Sequence, residues 1–382
     1  MMSERAGAVI IGGGVNGLGT AYHLARKGYT DVVVLERSYV CSGASGRNGG
    51  GIRQQWSSRE NIKLAMESTR MFRELSDELE EDLEFIQGGY LVLGFTDDET
   101  RQFRKNVELQ RQMGLKSKFI SPREAKEMVP QLNISKVRSA TFNDTDGTIY
   151  PFPVVHGYAR GLREMGVDIR EHTEVVDIET EGGEIKAVKT SDGTIRTDTV
   201  VNAAGGWSAG IARMAGVELP NKPYRHEIMV TEPYARFLEP MVISFHHGIY
   251  FSQSKHGNIV GGIGNPGERE GIEQRASLWF LRTMARTLVD LIPQFRSVNM
   301  LRQWAGLYDT TPDAQPVVGP VPDVDRFYQL NGFSGHGFMV SPVVDKVTAE
   351  LILGETPSMD ISGLSVERFQ GMDLEREYSV VG

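Results

Sequence analysis

Apolar positions along the chain follow two periods. Residues 8–11 and 32–35 are short unbroken apolar runs, the pattern of strands buried on both faces. Between them Leu18, Ala21, Leu24 and Ala25 recur at helical spacing, and Gly28 ends that helix. The helical period returns over residues 58–82, through Ile62, Met66, Phe72, Leu75 and Leu79, with a charged face left to solvent. Residues 97–113 predict a polar helix. Ser121-Pro122-Arg123-Glu124 predicts a cap and first turn with proline at the first helical position, and Pro130 stops that helix. Further helices are predicted over 151–165, 271–291 and 343–353. Strands are predicted over 88–93, 140–149, 167–170, 173–179, 185–190, 194–201, 226–231, 249–252, 258–263 and 327–330. A strand pair flanks a Pro-Asp turn within 302–319. No repeat or low-complexity tract interrupts the chain.

The first strand, helix and second strand form a unit around Gly12-Gly13-Gly14-Val15-Asn16-Gly17, the G-x-G-x-x-G fingerprint of dinucleotide binding. Gly12 permits the tight turn, Gly14 lets a pyrophosphate approach the backbone, and Gly17 lets helix and strand pack closely. The helix N-terminus presents unpaired N–H groups to phosphate. Glu36, about 20 residues past the last glycine, suits ribose hydroxyls, and its charge argues against a 2′-phosphate and hence NADP. The motif alone leaves FAD and NAD open.

Composition narrows the class. The 382 residues suffice for two domains with cores, and 40% hydrophobic with 24% charged is ordinary for a soluble globular protein. A formal net charge of -9 argues against nucleic acid as the main partner. No apolar run approaches the roughly 18 residues of a transmembrane span. The fingerprint lies so near the N-terminus that no signal peptide is expected, and the expected location is the cytoplasm. The single cysteine, Cys41, excludes an internal disulfide and any paired-cysteine redox or metal site. No metal is expected. His156, on a predicted helix, reads as a packed or surface histidine because no second ligand is spaced for a metal.

Three more segments are rich in small residues. Residues 38–56 place Arg47, Asn48 and Arg53 among glycines and serines, as a loop folded against a flat ligand would. Residues 202–208 follow a buried strand. Residues 331–339 lead into a helix and aim a second helix dipole at a ligand.

The fingerprint with Glu36-Arg37, then SGRNGGGIRQQW, VNAAGGWS and NGFSGHGFMVSP, together resemble the FAD-dependent D-amino-acid-oxidase-like superfamily. Within it the chain resembles sarcosine oxidase β-subunits and dye-linked L-proline dehydrogenase β-subunits, with glycine oxidases nearby. The resemblance covers nearly the whole chain and selects FAD over NAD. It implies a mixed α/β fold, with a Rossmann-like FAD-binding domain (1–85, 145–220 and 305–382) interleaved with an antiparallel-sheet substrate domain (86–144 and 221–304). It implies that FAD is held by Gly12, Gly14, Val15, Asn16, Gly17, Glu36 and Arg37. Ser45, Gly46, Arg47, Asn48, Gly49 and Gly50 would line the flavin ring, and Val175 would reach the adenine through its backbone. Ala204, Gly205 and Trp207 would join them. Gly332, Gly335, His336, Gly337, Phe338 and Met339 would meet the flavin's pyrimidine edge.

The activity implied is oxidation of the C–N bond of a small amino or imino acid of the sarcosine, L-proline or glycine type, by hydride transfer to the flavin. Arg53 matches an arginine that binds substrate carboxylate, and a guanidinium fits a carboxylate bidentately. Tyr308 matches an active-site tyrosine, and His336 a flavin-loop residue rather than a base. Gly306 and Pro151 stand where relatives attach flavin covalently, so free FAD is expected. Met339 replaces a second carboxylate-binding lysine, and no lysine occurs near 260–262. The resemblance also admits an α-subunit and a second flavin, FMN, at the subunit interface. Two other readings are a 2-hydroxy-acid dehydrogenase on the same fold and a non-catalytic FAD-binding subunit.

Overall fold

The computed structural model describes residues 4–371, 374 and 376–380. It is a mixed α/β structure, with eight α-helices among the described residues, a ten-stranded sheet, an eight-stranded sheet and a two-stranded ribbon. The first apolar run, Ala8–Ile11, lies between two parallel neighbours, Val32–Leu35 and Val200–Asn202. Val324–Asn331 and Asp168–Arg170 extend this parallel set on either side. Alternate side chains enter two cores. Ala8, Ile10, Val32 and Val34 pack with Leu18 of the helix Val15–Arg26, Tyr158 of Pro151–Glu164 and Val343 of Gly337–Ile352. Val9, Ile11, Val33 and Leu35 pack with Ile178, Val188 and Ile211 on the other face. Each fully buried valine or isoleucine contributes roughly 1.5–3 kcal/mol, which explains why both faces of these short strands are apolar.

The second sheet runs in the order Met300–Thr310, Lys222–Pro233, Asn258–Ile263, Ile249–Gln253, Met241–Ser244, Tyr90–Gly94, Ser139–Asn143, Lys118–Ile120. Period two again sorts its side chains. Leu91, Leu93, Ile249, Phe251 and Met229 pack under the helix Leu278–Leu291. Tyr90, Tyr250 and His226, on the opposite face, border a cavity between the sheets. One pair in this sheet, Met241–Ser244 with Tyr90–Gly94, is parallel, against the antiparallel sheet expected. These strands come from stretches separated by a long excursion through the other sheet, so no hairpin dictates their direction.

Most predicted elements are present, and four differences have local causes. The predicted strand over 194–201 is two strands, Gly193–Arg196 and Val200–Asn202, with different neighbours. Met241–Ser244 has no counterpart in the pattern analysis. The helix predicted from 271 begins at Leu278, where the Ser277 hydroxyl accepts from the Phe280 N–H as N-cap. The last helix begins at Gly337, six residues before the predicted start, despite Pro342 inside it. The Phe338 carbonyl, which cannot receive an N–H from Pro342, accepts from Ser341 Oγ at 2.9 Å instead. The capping box at Ser121 and Glu124 is formed as its sequence suggests. No described helix is long and apolar enough to cross a membrane.

Candidate functional site

The glycine turn is sterically tight. Gly12 has φ +121°, and a Cβ there would sit 2.3 Å from the Ala203 carbonyl oxygen. A Cβ on Gly17 would sit 2.0 Å from the Gly12 oxygen, so only glycine lets the helix approach its strand this closely. Gly14 is the N-cap of Val15–Arg26 and offers no capping side chain, and the first turn carries no acid. The positive end of that helix therefore faces a cavity of about 430 Å³ bordered by Gly12, Gly14, Val15 and Asn16. Glu36 borders it too, and its carboxylate is already engaged. Oε2 accepts from Gly13 N at 2.9 Å, and Oε1 accepts from Ser38 N at 2.8 Å and Ser42 Oγ at 3.3 Å. Glu36 thus braces the turn as well as facing the cavity. The Arg37 guanidinium lies 3.7 Å from the Trp207 ring, where the two cover one rim together with Val175, Ala204 and Gly205.

The loop through Ser45 is tied down by its own polar groups. Ser45 Oγ accepts from Val15 N at 2.9 Å. Asn48 donates to the Ser45 carbonyl and accepts from Gly50 N. Arg47 spends its donors on the Ser42 and Ala305 carbonyls, which stitches the loop to the strand Met300–Thr310. Ser45, Arg47, Asn48 and Gly49 border the cavity, and a Cβ on Gly49 would meet the Tyr250 ring. Gly17, Gly46, Gly50 and Gly332 do not border it. A side chain at each would strike Gly12, Cys41, Ile149 or Thr311 respectively, so these glycines shape the cavity from behind.

The other end of the cavity is built around Arg53, which is 4% exposed. Its guanidinium stacks 3.9 Å from the Trp56 ring and donates to the Gln55 carbonyl at 3.2 Å and the Ser379 carbonyl at 2.5 Å. Among the described residues no carboxylate pairs with it. Burial lowers its pKa, opposed by Tyr90, Glu377 and Asp146. Asp146 holds the strand behind it, accepting from Gln54 N, Gln54 Nε2, Gln55 Nε2 and Asn143 Nδ2. Burial pushes Asp146 up to about 6 although these bonds pull it down.

Tyr308 lies near enough to Arg53 that each shifts the other's pKa. Its hydroxyl lies close to that of Tyr250, and burial raises the pKa of both. A Cβ on Gly335 would lie 2.4 Å from the Tyr308 ring, so the glycine-rich loop before the last helix touches this tyrosine. Gly335, His336, Gly337, Phe338 and Met339 all border the cavity. His336 is the N-cap of Gly337–Ile352, and its ring lies 4.7 Å from Trp56. Burial pushes it down to about 4, leaving it neutral, and the nearby Ser334 carbonyl completes no hydrogen bond of ordinary geometry with it. Phe338 and Met339 lie in the helix's first turn rather than in a loop. Asp309, next to Tyr308, accepts from Gly332 N at 2.6 Å and from Asn221, and burial pushes it up to about 7.

Sequence reasoning missed several residues that the fold brings here. Trp56, Tyr90, His226 and Tyr250 border the cavity, and Val380 of the C-terminal segment does too. Tyr90 and Tyr250 sit at alternate positions in apolar strands, a signal that gives the face but not what it faces. Nothing in the pattern marks Val380. His156 is exposed on its helix and stacks on Phe152, well apart from these residues.

The cavity fits a dinucleotide with a flat ring system. A helix N-terminus whose N-cap is a glycine faces one end, with Ser45 Oγ on its first N–H; glycines line the wall, and the bordering residues Asn16, Trp207 and His226 carry buried polar atoms, Oδ1, Nε1 and Nε2, without partners among the described residues. Unsatisfied buried polar atoms call for a ligand or water.

Comparisons with known proteins agree. The family model described as FAD dependent oxidoreductase matches residues 8–351. The chain is 32% identical to the sarcosine oxidase subunit beta of an Arthrobacter species over 376 residues, covering 97% of this chain and 92% of that protein. It is 31% identical to the corresponding subunit of Rhodobacter capsulatus, covering 91% and 85%. Among solved structures it resembles L-proline dehydrogenase from P. horikoshii, with TM-score 0.92, 38% identity and coverage of 98% and 100%. Glycine oxidase from Geobacillus kaustophilus, at 23% identity, shares the fold with TM-score 0.89 over 97% of this chain and all of that one.

Proposed function

The chain belongs to the FAD-dependent oxidoreductase family, and on that premise we propose that it oxidises the C–N bond of a small amino acid. The foremost candidates are secondary amines such as L-proline and sarcosine, with glycine the smallest of the class. The observation that carries this reading is Arg53, a buried guanidinium on the cavity wall that no carboxylate pairs with among the described residues. A buried cation is costly unless an anion completes it, and a substrate carboxylate would supply that anion.

When bound, FAD supplies the acceptor for a hydride from the carbon next to nitrogen. Gly12, Gly14, Val15 and Asn16 would hold its pyrophosphate, while Glu36, Arg37, Trp207 and Val175 would hold the adenosine. Ser45, Arg47, Asn48 and Gly49 on one loop, and Gly335 and His336 with the first helical turn Gly337 to Met339, would border its ring, with the positive end of Gly337–Ile352 aimed there. Gly17, Gly46, Gly50 and Gly332 serve by their lack of a side chain. Arg53 fixes the carboxylate, and Tyr308, steadied by Tyr250, offers a hydroxyl beside it. Tyr90, Trp56 and His336 exclude water around the reacting carbon.

The FAD is bound without a covalent link, since glycine and proline stand at 306 and 151. Denaturation should release all flavin into solution. The interleaving of the two sheets along the chain supports an FAD-binding part formed by 1–85, 145–220 and 305–382 and a substrate part formed by 86–144 and 221–304. Met300–Thr310 crosses the last boundary, which suits a strand carrying Tyr308 toward the flavin loop. An α-subunit with FMN at its interface belongs to the same reading, supported by the likeness to sarcosine oxidase β-subunits. Flavin analysis of the isolated and co-expressed chain tests it by the FMN found.

The decisive experiment is anaerobic bleaching of the bound flavin with amino acids and with 2-hydroxy acids. Bleaching by proline, sarcosine or glycine is expected. Bleaching by hydroxy acids alone would replace the reading with a 2-hydroxy-acid dehydrogenase, and bleaching by neither with a non-catalytic FAD-binding subunit.

A further inference from the structure

Arg53 accounts for one end of an amino acid and leaves its nitrogen without a partner. The cavity holds a group suited to it. His226 lies on Lys222–Pro233, opposite Gly306 in register, and is 6% exposed. Its ring lies nearly parallel to that of Tyr308, at 4.2 Å and 8°, and to that of Tyr250, at 5.7 Å and 11°. Those stacks fix the plane of the imidazole. Nε2, at the ring's edge, is buried and without a hydrogen-bond partner among the described residues. The strand beside it carries Gly262, where a Cβ would lie 2.8 Å from both His226 Nε2 and Tyr250 Oη. Any side chain at 262 would fill the notch into which these two polar atoms converge.

Resting on the amino-acid reading above, we propose that His226 recognises the substrate nitrogen, with Nε2 accepting a hydrogen bond from the amine N–H while Arg53 holds the carboxylate. Burial alone pushes the imidazole down to about 4, so it is neutral and carries a lone pair at physiological pH. A neutral acceptor favours an amine that has already lost its extra proton. That is the form whose nitrogen lone pair can form C=N as the C–H bond breaks. Arg53 and Tyr308 influence one another, and Tyr308 stacks on His226, so the two recognition groups belong to one wall of the cavity. His226 is a positioning and specificity residue in this scheme, and it discriminates amino acids from acids that lack N–H.

Binding to the anaerobic, dithionite-reduced protein, whose flavin cannot accept a hydride, tests this apart from turnover. For proline the matched oxygen analogue is tetrahydro-2-furoate, whose ring oxygen replaces N–H. For sarcosine it is methoxyacetate. Affinities are read by calorimetry and by perturbation of the bound flavin's absorbance. His226→Phe keeps a ring against Tyr308 and should weaken the amine ligand at least tenfold while changing the oxygen analogue less than twofold. His226→Gln, which keeps an acceptor, should recover part of the loss. Equal weakening of both ligands would reduce His226 to a stacking residue and overturn the assignment, and unchanged affinity for both would place the nitrogen elsewhere. If the native protein binds neither ligand and no amino acid bleaches its flavin, the amino-acid reading itself falls and this inference falls with it.

Discussion

The two ends of the cavity treat charge in opposite ways. At the glycine turn, Glu36 is saturated by two backbone N–H groups and a hydroxyl, all within its own stretch of chain. At the other end, among the described residues, Arg53 meets two carbonyls and the rings of Trp56 and Phe245, and His226 Nε2 has no hydrogen-bond partner. The Glu36 carboxylate is therefore satisfied without a ligand and braces the cradle, although Asn16 Oδ1 and Trp207 Nε1 beside it have no partner among the described residues. The Arg53 end carries unmet polar demand, which a ligand relieves on binding. Stability is spent where specificity is required.

The largest effect should come from removing the unmet charge. Arg53→Ala should leave FAD bound yet cost about 3–5 kcal/mol of substrate binding, because the desolvated carboxylate would lose its cation. Arg53→Lys should recover only part, since a point charge cannot form the bidentate fork. Anaerobic flavin reduction with an amino acid and its methyl ester measures both. An equal loss for acid and ester would show that Arg53 only shapes the cavity, and the contrast between the two ends would collapse.

Next in size is a pH effect at Asp309, which borders the cavity beside Tyr308. Burial raises its carboxyl from 3.8 to about 7 in the folded chain. A raised folded value means that the folded state holds the proton more tightly. The stabilisation is complete below about pH 4 and disappears as pH rises to about 7, a change of up to about 4 kcal/mol. Urea midpoints of the native chain and of Asp309→Asn between pH 4 and 8 should diverge over that window. Parallel curves would mean that Asp309 stays ionised and that its bond from Gly332 N is charge-assisted throughout.

A smaller effect is expected at the saturated end. Gly17→Ala puts a Cβ 2.0 Å from the Gly12 oxygen, and overpacking of this kind costs about 1–3 kcal/mol. The expected product is folded protein with little flavin, read from the ratio of flavin to protein absorbance. Full flavin content would show that the helix can move off its strand without harm to the cradle.

The smallest effect sharpens the comparison. Glu36→Gln keeps the shape of the turn but makes three charge-assisted contacts neutral. It should weaken FAD retention by about 1–1.5 kcal/mol, roughly tenfold. FAD content after dialysis at graded protein concentration reads this directly. No change would assign Glu36 wholly to bracing the turn.

Much of the fold was legible because its signals are local. The runs at 8–11 and 32–35 became strands at those residues, and Ser121 with Glu124 formed its capping box. The final helix was misplaced because Pro342 reads as a helix stop, while Ser341 Oγ repairs the carbonyl that proline strands. The predicted strand over 194–201 is two because the polar Thr197-Asp198-Thr199 parts Ile195 from Val200 and Val201, and the sheet neighbour changes there. Gly12 and Gly14, expected at a cofactor, border the cavity, and Arg53, expected to anchor a carboxylate, lies buried on its wall. Tyr250 and His226 carried no local mark of their part in the cavity.

By itself the sequence determined what depends on adjacent backbone: the turn that only glycine can make, the helix that starts from it, and the acid that closes it. These follow from sterics and hydrogen bonds among residues within about one supersecondary unit. Tertiary structure alone decided which buried polar groups meet. The Ser379 carbonyl reaches Arg53 across 326 residues, and the two tyrosines stack on His226 from two other strands. Such meetings depend on strand register and on the path of the chain between sheets. One residue of slip would turn His226 or Tyr250 to the opposite face, with the same composition and a different cavity.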